Sequence, residues 1–145
     1  MKAAYLKAKN QFEIREVEVR EPEAGEVLVG VKACGFCGHD KILAGYAGEE
    51  WQPFGHEFAG VVEKVGHGVK NVKVGDRVVV ETSIFDPVSD YARNGHPELD
   101  TEGPNYMTME HTGMGFSEKT IVPAILCVPF TDLEDREETA TTSEG

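Results

Sequence analysis

At 145 residues and 15.9 kDa, with 40% hydrophobic and 28% charged residues, the chain has the size and composition of one globular domain that can bury a core without disulfides. A formal net charge of −12 argues against nucleic acid and anionic membrane as partners, since phosphate is repelled and no basic patch concentrates the opposite charge. No apolar run approaches the roughly 20 residues of a membrane span, the first residues lack a signal-peptide core, and three cysteines suit a reducing compartment, so a cytoplasmic protein is expected.

Taken in order, Lys2 to Lys7 and Phe12 to Val19 read as two strands, and the break at Lys9-Asn10-Gln11 predicts a hairpin between them. Pro22-Glu23-Ala24-Gly25 is a turn, after which the β-branched run Glu26 to Ala33 predicts a strand leading straight into a cysteine motif. Asp40 to Gly45 suits a short helix with a glycine stop, and Tyr46 to Pro53 an exposed loop whose Trp51 either covers a pocket or caps the fold. Glu57 to Val65 is valine-rich, the Gly66-His67-Gly68 turn follows, and Val72 to Val80 is a turn feeding a buried strand. From Ser83 to Met114 strand patterning disappears among Pro87, Gly95, Pro97, Gly103 and Pro104, and it returns in Phe116 to Val122 and Ile125 to Phe130. The acidic stretches Glu13 to Glu26 and Asp132 to Glu144 read as solvated surface, the second as a poorly ordered tail. Many short strands, glycine turns and little helix predict a mainly β barrel or sandwich.

Chemistry concentrates between Cys34 and Gly60. Cys34-Gly35-Phe36-Cys37-Gly38-His39-Asp40 is followed sixteen residues after its aspartate by His56-Glu57. Thiolate, imidazole and carboxylate together are a donor mixture that suits a catalytic zinc. Gly35, Gly38 and Gly55 permit the tight turns that let distant side chains converge. On its own, a Cys-x-x-Cys is equally a redox pair or half a zinc knuckle, but neither a strand-helix-strand context nor a second pair is visible.

Five motifs in order carry a family resemblance: Gly25-Glu26-Val27-Leu28-Val29, the run Cys34 to Asp40, Gly55-His56-Glu57-Phe58-Ala59-Gly60-Val61-Val62, Val74-Gly75-Asp76-Arg77-Val78, and Gly115-Phe116-Ser117-Glu118 ahead of Val122-Pro123-Ala124. With these the chain resembles the GroES-like catalytic domain of the zinc-dependent medium-chain alcohol dehydrogenases, and the resemblance implies a partly open β-barrel with short helices over residues 1–131. Residues 132–145 would then begin a linker to a Rossmann domain that these residues do not include. The resemblance further implies that Cys37 and His56 ligate zinc, that Glu57 stands behind the metal and coordinates it transiently, and that Asp40 fixes His56 from outside. In the complete enzyme zinc would polarise an alcohol or polyol oxygen, and hydride would pass to NAD or NADP. It leaves room for a Rossmann-domain partner chain and for a homo-oligomer, and it implies that the chain alone is inactive.

The departures from the pattern matter as much. His39 stands where a small hydroxyl residue usually receives the substrate proton, and Ile42 where a relay histidine often follows, so His39 is the candidate to carry the proton. In the long loop, Asp86, Ser89, Ala92 and Asp100 fall on the positions of a four-cysteine structural zinc lobe, so no second zinc is expected. No Gly-x-Gly-x-x-Gly fingerprint follows a strand, so no cofactor-binding residue is assigned. Glu144 is a poor stand-in for the remaining metal ligand. Cys34 and Cys127 read as packing residues, His67, His96 and His111 as solvated, and Tyr106-Met107-Thr108-Met109 as loop packing or a pocket wall. The rival reading is a non-catalytic β-barrel module that retains a metal site.

Overall fold

The structure, a computed structural model, describes residues 1–7, 9–46, 48–82, 86, 88–100 and 113–130, apart from the Glu98 side chain. Pro87, Gly103, Pro104, the Tyr106 to Met109 run, His111, Glu144 and the boundary between residues 131 and 132 lie outside them.

The chain begins as the expected hairpin: β1 (Lys2–Lys7) pairs antiparallel with β2 (Gln11–Glu16), Leu6 opposite Phe12. Lys9 and Asn10 make the turn at φ 61° and 60°, a left-handed conformation that asparagine tolerates better than most residues. β2 stops at Glu16 rather than continuing to Val19, although Met1 and Val17 still exchange backbone hydrogen bonds just beyond it. β3 (Glu26–Gly35) is two residues longer than its β-branched run, so that Cys34 lies inside the strand. α1 (Gly38–Tyr46) starts two residues before Asp40 and is followed by the short β4 (Gln52–Pro53), which completes a three-stranded sheet in the order β2-β1-β4.

β5 (Glu57–Val65) and β6 (Arg77–Val80) follow, and then a four-residue helix α2 (Asp90–Arg93), β7 (Lys119–Pro123) and β8 (Cys127–Pro129). Together the strands build a second sheet in the order β7-β3-β5-β6-β8. The runs Phe116 to Val122 and Ile125 to Phe130 form less strand than their composition predicts. Phe116 to Glu118 instead crosses between the sheets: Phe116 O accepts from Ala4 N, Glu118 N donates to Lys2 O, and Glu118 O accepts from Val31 N. Ala124–Leu126 is a single 3-10 turn, anchored by Ala124 O accepting from Asn71 Nδ2 at 2.7 Å.

The core lies under the second sheet, where Val27, Val29, Val62, Val78 and Val122 are fully buried, with Phe58, Met114, Leu126 and Cys127 around them. Each buried valine contributes about 1.5–3 kcal/mol. Register between β3 and β5 sets Cys34 opposite Phe58 and Gly35 opposite Glu57, and so delivers the cysteine motif beside His56 and Glu57. Glycine is needed for that approach, since a Cβ on Gly60 would run into Gly30 O and Val29.

Candidate metal centre

Two elements supply the site: the turn and first residues of α1 after β3, and the residues just before β5. Asp40 locks the first. Its Oδ2 accepts from Cys37 N at 2.9 Å, so the carboxylate in the first turn of α1 holds the preceding loop closed over the helix start. His39 N then donates to Cys37 Sγ at 3.2 Å, which keeps the sulfur against the helix N-terminus.

Gly55 locks the second element. At φ +93° it occupies a conformation that only glycine adopts cheaply, and a Cβ there would collide with Phe116 and crowd Cys34 Sγ. Gly115 N donates to Gly55 O at 2.8 Å, and a Cβ on Gly115 would also meet Cys34 Sγ. Cys34 therefore fills the space between two glycines beneath His56. Burial first, and then the negative charges of Asp40, Glu57 and Cys37, push its thiol from 9.0 up to about 12. This is the packing role expected of it, and Cys127, 4% exposed and likewise pushed up to about 12 by burial, is the expected core residue.

The result is a convergence across the two sheet elements. His56, 6% exposed, points Nε2 at Cys37 Sγ, 3.2 Å away, while its Nδ1 faces Asp40 Oδ1 at 3.5 Å. Asp40 Oδ1 is buried and has no hydrogen-bond partner among the described residues. A buried, orphaned carboxylate oxygen facing Nδ1 suits a ring whose Nε2 lone pair is aimed at a metal beside the sulfur. The donor set therefore fits zinc: Cys37 and His56 would hold it, with Asp40 fixing the imidazole.

The donor atoms of Cys37, His39 and His56 all lie within 4.8 Å of one another, the one such trio of histidine, cysteine and acidic residues among those described. The rings of His39 and His56 meet edge-on at 6.1 Å. Glu57 is exposed on β5, its carboxylate lying over Gly35 where an added Cβ would be 3.1 Å away. It also lines a cavity of about 370 Å³ with Ala33, Phe58, Val79, Glu81 and Val128. The sequence reading placed His39 in proton transfer alone and did not foresee it joining the donor trio. Its spacing of two residues from Cys37, at a helix start, was the available signal.

Elsewhere, Trp51 lies between Lys7 and Arg15, with cation–ring distances of 5.0 and 4.9 Å, capping the hairpin. Ile42 is 56% exposed on α1. In the long loop Ser89 Oγ caps α2 by accepting from Ala92 N, and Asp86 N donates to the buried Asp100. His67 and His96 are exposed.

Two antiparallel sheets, one of them covering a valine core, with a Cys–His–Asp constellation at the junction of a strand end and a short helix, define a mainly β domain of the GroES-like class. Residues 23–132 match the family model described as the alcohol dehydrogenase GroES-like domain, and the chain belongs to that family. Starvation-sensing protein RspB of Escherichia coli K12 is 40% identical over 86% of the chain, and (R,R)-butanediol dehydrogenase of Bacillus subtilis 37% identical over 91%. A solved alcohol dehydrogenase (rspB) from E. coli CFT073, complexed with NADH, superposes with a TM-score of 0.78 at 33% identity over 91% of this chain and 39% of its own. The chain spans about two fifths of the length of these curated relatives, 37% and 41%. No helix among the described residues is long and apolar enough to cross a membrane.

Proposed function

We propose that residues 1–131 are the metal- and alcohol-binding part of a zinc-dependent dehydrogenase that oxidises an alcohol or polyol, with 132–145 leading toward the part that holds NAD or NADP. The observation that carries this is the Cys37–His56–Asp40 arrangement, and relatives named for alcohol and butanediol oxidation support it. Bound zinc supplies a Lewis acid that lowers the pKa of an alcohol oxygen. In this reading Cys37 and His56 hold the metal and Asp40 sets the His56 tautomer. Glu57 stands behind the metal as a mobile carboxylate, and the exposed His39 takes the alcohol proton. The nicotinamide is held by a Rossmann domain, in the same chain or a partner chain, and three free cysteines support a cytoplasmic setting.

Ile42 favours a second reading, a metal-binding β-module without turnover, because an exposed aliphatic group cannot pass a proton onward to solvent. The first reading is tested by measuring zinc retention and then oxidation of butane-2,3-diol by the 145-residue chain supplied with the nicotinamide-binding part of a relative. Retention of one zinc together with NADH formation supports it. Retention without turnover leaves the second reading, and a chain that keeps no zinc sinks both.

A further inference from the structure

We infer that, in the alcohol-free chain, His39 is the third protein donor to the metal, so that one thiolate and two imidazoles drawn wholly from residues 37–56 hold the ion. This rests on the proposed metal centre at Cys37 and His56 and adds a ligand to it. The mutual approach of the three donor atoms, all within 4.8 Å, is the first ground. Tetrahedral donors at zinc bond lengths lie roughly 3.3–3.8 Å apart, so the trio is about an ångström from closure. The second ground is how His39 is held. Its N–H donates to Cys37 Sγ at 3.2 Å, which fixes the backbone against the sulfur, while its exposed side chain has room to turn toward His56 without disturbing the core. Third, the two rings already meet edge-on at 6.1 Å and 70°, close to the arrangement of two imidazoles sharing one ion.

Glu57 is less well placed for the same position. It projects from β5 over Gly35 and does not join the donor trio. Two neutral imidazoles and a thiolate are also a better borderline set than one imidazole, a thiolate and a solvated carboxylate. The fourth position is left to water or substrate, as catalytic sites require. The same imidazole becomes available as a base once alcohol displaces it.

X-ray absorption of the zinc-loaded 145-residue chain should show two imidazoles and one sulfur, and a fit with one imidazole would overturn the inference. His39→Ala should lower zinc affinity more than about 100-fold, beyond the loss typical of an outer partner. In the cobalt form it should change the visible ligand-field bands while the thiolate charge-transfer band stays. Glu57→Gln should lower affinity less than His39→Ala does and leave the ligand-field bands in place, and a loss there with none in His39→Ala would overturn the inference by making the carboxylate the third donor. Cys37→Ser separates the two levels. If it still holds zinc, the metal centre itself is wrong, whereas zinc lost in Cys37→Ser but kept at full affinity in His39→Ala sinks only the role of His39.

Discussion

His56 Nε2 lies 3.2 Å from Cys37 Sγ, although nineteen positions separate the two residues and each belongs to a different element of the fold. The contact exists because β3 and β5 pair in a register that brings the end of one strand beside the start of the other. Loss of either side chain should therefore empty the site without unfolding the sheet. Cys37→Ser and His56→Ala should each abolish zinc retention on a chelating column, with β-type circular dichroism preserved. Asp40→Asn should lower affinity by about 10–100-fold, since it acts only through His56 and the Cys37 N–H. Full affinity in Asp40→Asn would contradict that role.

Gly55 and Gly68 both have positive φ, 93° and 81°, but only Gly55 is crowded, by Phe116 and Cys34. Gly68→Ala should cost about 1–2 kcal/mol, the penalty of the left-handed backbone alone. Gly55→Ala should cost about 2–4 kcal/mol, overpacking being added, and should weaken zinc binding by moving His56. Urea titrations of the two variants read the difference, and equal losses would show that the close approach carries no energy.

Two thiols, the half-buried Cys34 and the buried Cys127, make the fold sensitive to alkali. Cys34 and Cys127 are pushed from 9.0 up to about 12, so the folded chain holds these protons more tightly than the unfolded one. Their contribution is fully present below about pH 8.5 and is lost as pH rises toward 12. The urea midpoint should fall between pH 8.5 and 10.5, less steeply in Cys127→Ala. At pH 8 only about one folded thiol in 10⁴ at these positions is ionised. Iodoacetamide should accordingly label both slowly until urea is added, and rapid labelling in the folded chain would refute the upward shift of these thiols.

The loop that carries Asp86, Ser89, Ala92 and Asp100 should hold no zinc, because these positions lack thiolates and, among the described residues, engage in hydrogen bonds between carboxylate, hydroxyl and peptide groups. Metal analysis should give at most one tightly held zinc per chain. Asp100→Ala removes the buried acceptor of Asp86 N and should raise hydrogen exchange across 88–99, leaving the Cys37 site loaded. Two zinc ions per chain would contradict this.

What the sequence by itself determined is local. Alternating and β-branched runs marked β1, β3 and β5, the break at Lys9-Asn10 marked the hairpin, and the motif from Cys34 to Asp40 with His56 identified the family and the candidate metal-site residues. These features are set by backbone preference, side-chain period and donor chemistry, all readable within a few neighbouring residues. The tertiary structure decided the rest. Phe116 to Glu118 has strand composition, yet it bridges two sheets, because Lys2, Ala4 and Val31 claim its hydrogen bonds. Cys34 reads as a packing residue from sequence, but that it packs against Gly55 and Gly115 follows from the fold alone. Glu57 neighbours His56 in sequence, but it is exposed at the start of β5 while His56, just before the strand, is buried. His39 joins His56 instead, because strand register, which no local run encodes, brings the helix start beside the residues before β5.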